Sequence, residues 1–82
     1  MIRNERTTLD KLVEGDRFYK FGDKKKRIFV VLEMVSDRFD NLDYVKIAPT
    51  DKMPKPSYLE QVNVRNPKGY ELIFLRHESD IG

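Results

Sequence analysis

Hydrophobic residues recur at every second position along five short stretches of this chain, and this period of two predicts β-strands rather than helices. The stretch Arg27–Ser36 is the clearest, because apolar side chains occupy both of its alternating rows. A strand that is apolar on two faces is typical of the centre of a sheet. The other four predicted strands are Arg17–Phe21, Asp43–Ala48, Tyr58–Val64 and Tyr70–Leu75.

Residues that favour turns separate these strands. Gly22-Asp23 lies between the first and the second strand, and the sequence NPKG at residues 66–69 precedes the fifth. Pro49 ends the third strand, because proline has no N–H to donate to a strand ladder. Short strands and tight turns predict an all-β fold, a small five-stranded antiparallel barrel of the SH3-like type. An OB-like barrel is the alternative, since closure of either barrel removes exposed strand edges.

The alternation is absent from the two ends of the chain. We predict a flexible N-terminus at residues 1–7, a single small β-barrel domain at residues 8–76 and a flexible tail at residues 77–82. A chain of 82 residues has the length of one domain, and no internal repeat divides it.

One short helical turn is predicted near the N-terminus, over Thr8–Leu12. Threonine is a common N-cap, and Leu9, Leu12 and Val13 recur at helical spacing, so we expect them to face the core. The turn is too short to be stable alone and must dock on the sheet.

The segment around this turn resembles the start of small SH3-like barrels. The shared pattern is Leu-x-x-Leu-x-x-Gly-Asp-x-Phe, formed here by Leu9, Leu12, Gly15, Asp16 and Phe18. The closing segment, residues 71–77, is similar to the last strand of short proteins of bacteria and mobile elements. This resemblance implies a small SH3-like fold, and it implies no catalytic or binding residue.

Composition narrows the classes of protein that fit. The chain contains no cysteine, so it has neither disulfides nor thiolate zinc ligands, as is compatible with a reducing compartment. Its longest apolar run, Ile28–Leu32, is too short to cross a bilayer, and the first residues lack the apolar segment of a secretory signal. We therefore expect a cytoplasmic protein with no membrane partner.

The sequence offers no credible catalytic or metal site. His77 is the single histidine and is predicted to lie in the tail, whereas a general base needs a fixed position. No nucleophile motif surrounds any serine, and the four glycines are too scattered for a phosphate-binding loop. We expect a protein that is not an enzyme, with no metal, cofactor or small-molecule substrate.

Charge is distributed unevenly, although the net charge is only +2. Residues 17–27 contain six cations and one anion, a net charge of +5. Four consecutive cations fall in the predicted turn between the first two strands: Lys24, Lys25, Lys26 and Arg27. A near-neutral total argues against a strongly basic nucleic-acid-binding protein, but a basic loop can still contact phosphates locally.

A non-enzymatic binding module is the function class that this pattern favours. The first hypothesis is a nucleic-acid-binding accessory protein, in which cations contact phosphates and unpaired bases stack on aromatic side chains. Its candidate residues are Tyr19, Lys20, Lys24, Lys25, Lys26, Arg27 and Tyr44. The simpler interpretation is a solvated turn whose lysines protect strand edges from aggregation.

The alternative hypothesis is a protein-interaction or self-assembly module with no nucleic-acid role, bound to a protein partner or to a second copy of itself. Phe39 stands in an otherwise polar loop, where an aromatic side chain can anchor an interface. Met53 and Pro54 belong to a proline-rich loop, which is stiff and extended. Such a loop is also a common low-entropy connector, so both interpretations of it stay open.

Overall fold

The computed structural model describes residues 2–50 and 60–77, and in this part of the chain one antiparallel sheet of six strands curls into a half-barrel. The strands are β1 (Arg6–Thr8), β2 (Asp16–Lys20), β3 (Ile28–Ser36), β4 (Leu42–Pro49), β5 (Val62–Val64) and β6 (Glu71–His77). Their order across the sheet is β1-β6-β2-β3-β4-β5. The predicted all-β class is confirmed, with six strands in place of five.

The sequence pattern misses β1 and the end of β6. Arg6 and Thr7 fall in the segment predicted to be a flexible N-terminus, yet both pair with β6. Three residues are too few to show an alternation, so this strand exists only through its pairing with a distant segment. His77, predicted as the first residue of a flexible tail, is the last residue of β6 and pairs with Asp16 of β2.

The pairing of β4 with β3 continues through Pro49, whereas the sequence predicts that it stops before this proline. Pro49 is the last residue of β4 and the register partner of Phe29. The strand-to-strand bond that follows comes from the N–H of Thr50, which donates to the carbonyl oxygen of Ile28 at 3.0 Å. In the predicted strand Tyr58–Val64, residues 58 and 59 lie outside the described residues, and of residues 60–64 Val62–Val64 form a strand.

The predicted N-terminal turn is a 3-10 helix at Leu9–Lys11. Thr8 occupies the N-cap without a side-chain cap bond, and its hydroxyl donates to the carboxylate of Asp10. Leu9 and Leu12 are buried as expected, but Val13 is 57% exposed, so its predicted inward position is wrong. The helix ends at Lys11, so Val13 no longer shares a face with Leu9 and Leu12. The turn predicted at residues 66–69 contains a second 3-10 helix, Pro67–Gly69.

The core lies on the inner face of the half-barrel, the face of the sheet that carries Phe18. Successive register pairs align Phe74, Phe18, Phe29 and Pro49 in one row across β6, β2, β3 and β4. Phe18 is fully buried, and its ring centroid lies 6.1 Å from that of Phe29 and 6.0 Å from that of Tyr70. This aromatic row fixes β2 between its two neighbours. The cluster is completed by Leu9, Leu12, Val31, Val45, Ile47 and Leu72.

A bulge in β6 decides which side chains reach the outer face, the face of the sheet opposite the core. Phe18 pairs with Phe74 and Arg17 pairs with Arg76, so Leu75 is an extra residue between the two pairs. Strict alternation from Phe74 would turn Arg76 toward the core. The extra residue restores Arg76 to the outer face, directly opposite Arg17.

Candidate nucleic-acid interface

The four consecutive cations of the sequence lie at the hairpin tip, residues 21–27, which joins β2 to β3. Two residues of the hairpin tip adopt left-handed backbone conformations, Gly22 with φ +87° and Lys26 with φ +49°. Glycine adopts this conformation without steric cost, whereas a lysine there needs support from its surroundings.

Asp23 provides that support. Its carboxylate accepts hydrogen bonds from the backbone N–H groups of Lys25 at 3.0 Å and Arg27 at 3.1 Å. Its own N–H donates to the carbonyl oxygen of Lys20 at 3.0 Å, and its carbonyl oxygen accepts from the N–H of Lys26 at 3.2 Å. Aspartate commonly closes turns by binding nearby N–H groups in this way. Asp23 therefore closes the hairpin tip through two bonds of its carboxylate and two bonds of its backbone.

Lys24, Lys25 and Lys26 project from this turn and are exposed. Within residues 2–50 and 60–77, no carboxylate lies within ion-pair distance of their ammonium groups. Three cations are thus available to an anion from outside the chain. Arg27 differs, because its Nη2 lies 3.1 Å from Oε2 of Glu60, with both side chains about half exposed. An exposed pair of this kind contributes little stability, about 0–1 kcal/mol, but it reduces the net charge of Arg27 toward a ligand.

Tyr19 is the predicted stacking residue that the structure brings to the hairpin tip. It lies on the outer face in register with Ile28 and Ile73, and its ring is half-buried. The Nζ of Lys26 lies 5.9 Å from the centroid of its ring, within the range of a cation–π contact. Lysine and tyrosine therefore form one small surface at this end of the sheet.

Lys20 flanks the hairpin tip from the other side of the sheet. It pairs with the core residue Leu72, so alternation directs it away from the face of Tyr19. Its Nζ lies 5.5 Å from the ring centroid of Tyr70. Burial raises the pKa of the Tyr70 hydroxyl, and the negative charge of Asp23 raises it further. The hydroxyl of Tyr70 is therefore more firmly neutral than that of an exposed tyrosine.

Tyr44 is not brought to the hairpin tip. It pairs with Val35 of β3, whereas Tyr19 pairs with Ile28, seven residues earlier in the same strand. At roughly 3.3 Å per strand residue, the two tyrosines stand about 23 Å apart along the sheet. Tyr44 has its own cation, since the guanidinium carbon of Arg65 lies 5.8 Å from its ring centroid. The predicted nucleic-acid residues are thus split between two ends of the sheet.

Phe39, predicted as a partner-binding residue, lies in the turn between β3 and β4 with 69% of its surface exposed. The carboxylate of Asp37 accepts hydrogen bonds from the N–H groups of Phe39 at 2.8 Å and Asn41 at 3.1 Å. The guanidinium carbon of Arg38 lies 4.9 Å from its ring centroid. The ring is therefore presented by a closed turn. Met53 and Pro54, the other two predicted partner residues, lie outside the described residues.

A second cationic region was missed by the sequence analysis. Arg3, Arg17 and Arg76 line an open cavity of about 180 Å³ on the outer face, together with Ile28 and Leu75. These arginines come from three separate segments, and no local motif marks any of them. The cavity could be predicted from the sequence only if the register of the strands were already known. We call this region the arginine cavity.

Arg17 is the least satisfied member of the arginine cavity. Its Nε is buried and has no hydrogen-bond partner in the described part of the chain. An unmet buried donor costs about 1–3 kcal/mol. Arg17 also stands directly opposite Arg76 across the β2–β6 ladder, so two cationic side chains lie in register.

A buried aspartate, Asp16, directly precedes Arg17 in β2. Asp16 is 6% exposed, and its Oδ1 lies 2.7 Å from Nδ1 of His77. Its Oδ2 accepts a hydrogen bond from the N–H of Val13 at 3.0 Å. Since a carboxylate only accepts hydrogen bonds, Nδ1 of His77 is the donor in this pair. Asp16 therefore ties the end of β6 to the segment that enters β2.

Three comparisons with known proteins identify no relative. The chain matches no protein-family model, no curated protein and no solved structure. The resemblance to small SH3-like proteins of bacteria and mobile elements therefore stays a prediction. In residues 2–50 and 60–77, no group of three histidine or acidic side chains could hold a metal ion, and no helix has the length and apolar character to cross a membrane.

Proposed function

We propose that this protein is a non-enzymatic module that binds single-stranded nucleic acid through the hairpin tip. The observation that carries the proposal is a group of three exposed lysines, Lys24, Lys25 and Lys26, that have no carboxylate within ion-pair distance in residues 2–50 and 60–77. The last of them lies beside the ring of Tyr19. Lysine ammonium groups contact phosphates as point charges and release counterions when they do so. An aromatic ring beside them offers a stacking surface for an unpaired base.

Single strands suit this surface better than duplexes. A duplex conceals its bases inside the stack, so a lone tyrosine at a hairpin tip finds no base to stack on. A single strand exposes both its phosphates and the faces of its bases. Lys26 lies within cation–π distance of Tyr19, so a phosphate bound by Lys26 brings the neighbouring base close to the ring.

We also propose that the half-barrel is of the small SH3-like type. The strand order supports this, because β2, β3, β4 and β5 follow one another across the sheet and β6 returns to pair with β2. That return is what closing a small barrel requires. In this fold the hairpin tip joins the first two strands of the meander, β2 and β3, and projects beyond the sheet.

The test is a titration of a labelled single-stranded oligonucleotide at about 50 mM and about 200 mM salt. The test variant combines Lys24→Ala, Lys25→Ala and Lys26→Ala. The matched control combines Lys11→Ala, Arg38→Ala and Lys68→Ala, which remove the same number of exposed cations elsewhere. Each lost phosphate contact is expected to reduce the salt slope by about 0.7, so the test variant loses a slope of about 2.

Tyr19→Leu is the second variant, and it keeps an apolar side chain at the same position. It is expected to weaken binding by about 1–3 kcal/mol with an unchanged salt slope, because stacking does not release counterions. Equal affinity and equal salt slope for the test variant, the control and the parent protein would exclude this function. Stronger binding to a duplex of the same sequence would exclude the preference for single strands.

Phe39 supports a second candidate function, a protein-interaction or self-assembly module. A large aromatic ring that is 69% exposed and fixed in a closed turn is a suitable interface anchor. For self-assembly, sedimentation equilibrium should show a mass that rises with concentration, and Phe39→Ser should remove the rise. A mass that stays monomeric over the same concentrations would exclude self-assembly.

A further inference from the structure

Phe21, the first residue of the hairpin tip, is an exposed aromatic side chain on the same face of the sheet as Tyr19. Its N–H donates to the carbonyl oxygen of Glu71 at 3.1 Å, so the pairing of β2 with β6 continues one residue beyond Lys20. Tyr19 pairs with Ile73, two residues after Glu71, and side chains two residues apart in a strand share a face. Phe21 therefore lies beside Tyr19 on the outer face.

The ring of Phe21 is held in place by an arginine of β1. The guanidinium carbon of Arg6 lies 3.9 Å from the ring centroid and covers one face of the ring. Nη2 of Arg6 also lies 2.9 Å from Oε1 of Glu71, so the guanidinium is fixed between a carboxylate and the ring. Phe21 nevertheless keeps 44% of its surface exposed. The ring is thus positioned from one side and available to a planar group on the other.

Cations surround this ring and the ring of its neighbour in β2. Lys24, Lys25 and Lys26 are exposed, and no carboxylate in the described part of the chain lies within ion-pair distance of them. The carboxylate of Glu71 lies on the same face but is paired with Arg6, so it repels an incoming phosphate less than a free carboxylate would. Two rings beside three lysines match a polyanion that carries aromatic groups, as a single-stranded nucleic acid does.

The spacing of the two rings determines the form of strand that they can bind. Side chains two residues apart leave a β-strand about 6.6 Å from each other. Consecutive bases of a duplex strand are only about 3.4 Å apart. Consecutive bases can therefore reach both Tyr19 and Phe21 only if the nucleic acid is extended and its bases are unstacked, which a single strand permits and a duplex does not.

We propose that Phe21 is a second stacking site, which binds the base next to the one that stacks on Tyr19. The inference rests on the function proposed for the hairpin tip and adds a path to it. The bound strand runs from Lys26 across Tyr19 to Phe21, toward β1, with consecutive bases on the two rings. Arg6 is a positioning residue in this arrangement, because it holds the ring of Phe21 and contacts no base.

Phe21→Trp provides a direct test, because the chain contains no tryptophan of its own. A single-stranded oligonucleotide should quench the tryptophan emission in a saturable way, because a base stacks on the indole. An abasic strand of the same length keeps the phosphates and lacks the bases, so it should not quench. Phe39→Trp, in the turn between β3 and β4, is the matched control and should keep its emission with both strands. Equal quenching by the two strands, or no quenching of Phe21→Trp, would overturn the proposal.

Phe21→Leu measures how much the ring contributes to binding. It keeps an apolar side chain at an exposed position, and it should weaken oligonucleotide binding about fivefold to a hundredfold with an unchanged salt slope. Its affinity for the abasic strand should equal that of the parent protein. Phe39→Leu is the matched control and should bind both strands as the parent does. Parent-like binding of the oligonucleotide by Phe21→Leu, or an equal loss for both strands, would contradict a stacking role.

The combination of Tyr19→Leu with Phe21→Leu tests whether the rings bind separate bases. Separate stacking predicts that the two fold-losses multiply, whereas a double variant that binds as well as either single variant would overturn the path. A reduced salt slope in the combined Lys24, Lys25 and Lys26 variant, with parent-like binding by Phe21→Leu, would refute the second stacking site and leave the proposed function standing. Absence of oligonucleotide binding by the parent protein would refute both.

Discussion

The hairpin tip and the arginine cavity both concentrate positive charge, but the protein builds them in opposite ways. The hairpin tip takes its cations from consecutive positions and exposes three lysines on one closed turn. The arginine cavity takes one residue from each of three segments, which meet only because β6 lies between β1 and β2. One region is a property of the sequence, and the other is a property of the topology.

The difference has chemical consequences. Lysine is a flexible, strongly hydrated point charge, suited to anions whose position varies, such as the phosphates of a mobile strand. Arginine presents a planar set of donors, and arginines fixed on a sheet favour one anion of fixed geometry. We therefore expect binding at the hairpin tip to depend steeply on salt.

Each region is also anchored by one aspartate. Asp16 precedes Arg17 in β2, is buried, and accepts hydrogen bonds from His77 and the N–H of Val13. Asp23 lies in the hairpin tip and accepts bonds from two backbone N–H groups of that turn, both exposed. An aspartate thus accepts hydrogen bonds that hold nearby segments together in both regions, in a part-buried position at Asp16 and in an exposed turn at Asp23. Replacing each aspartate tests how far the two regions are independent.

Replacing Asp16 should have the largest effect. Asp16→Ala leaves the N–H of Val13 and the Nδ1 of His77 without their acceptor in a part-buried site, so it should lower the free energy of unfolding by about 1–3 kcal/mol. Urea denaturation measures this loss. Amide signals of Arg17 and Arg76 should move, since both residues adjoin the lost pair.

The control for this prediction is His77→Ala, which removes one partner and leaves the bond to Val13. It should cost less than Asp16→Ala. If the two variants were equally stable, the bond between Asp16 and Val13 would contribute nothing. If Asp16→Ala shifted the signals of the hairpin tip as strongly as those of Arg17, the two regions would be one coupled unit.

The hairpin tip could be predicted from sequence because its causes are local. Gly22 and Asp23 are common turn residues, and the strands on both sides alternate clearly. The structure confirms strands on both sides of this turn and shows which bonds close it. Tyr19 could be placed beside it because it precedes the turn by only a few residues.

The arginine cavity could not be predicted, because its causes are not local. Strict alternation places Arg76 on the same face as Phe74, and only the bulge at Leu75 reverses this. Arg3 reaches the cavity through a turn fixed against β6, in a segment whose sequence shows no alternation. The register of β6 was therefore the missing information, and it also explains why His77 was predicted to lie in a tail.

Replacing Asp23 should have a smaller effect that stays at the hairpin tip. Asp23→Ala removes the acceptor of two exposed backbone N–H groups, which water can replace, so the free energy of unfolding should fall by about 1 kcal/mol. NMR relaxation should show greater motion at Lys25 and Lys26. Asp23→Asn retains a side-chain oxygen and should recover part of the order.

The amide signals of Arg17 and Arg76 serve as the internal reference for this variant. They should stay in place in Asp23→Ala, because the register of β2 and β6 does not depend on the turn. Movement of these signals comparable to that at Lys25 would contradict the independence of the two regions. A loss of stability as large as that of Asp16→Ala would contradict the expectation that the exposed hydrogen bonds of Asp23 stabilise the fold less than the part-buried bonds of Asp16.

The smallest effect concerns the pH dependence beneath the hairpin tip, at Tyr70. Burial, and then the charge of Asp23, raise the pKa of its hydroxyl above the ordinary value of 10.0. Below that value the hydroxyl is neutral in folded and unfolded chains alike. As the pH rises above it, the unfolded chain ionises first, so the free energy of unfolding falls until the pH passes the pKa of the folded state.

Urea denaturation at about pH 8 and about pH 11 should show a larger fall for the parent protein than for Tyr70→Phe, whose ring cannot ionise. Asp23→Ala should give an intermediate fall, because burial remains while the nearby negative charge is gone. Equal falls in all three proteins would mean that the environment beneath the hairpin tip leaves Tyr70 unaffected, and the contrast between the two aspartates would then be one of hydrogen bonds alone.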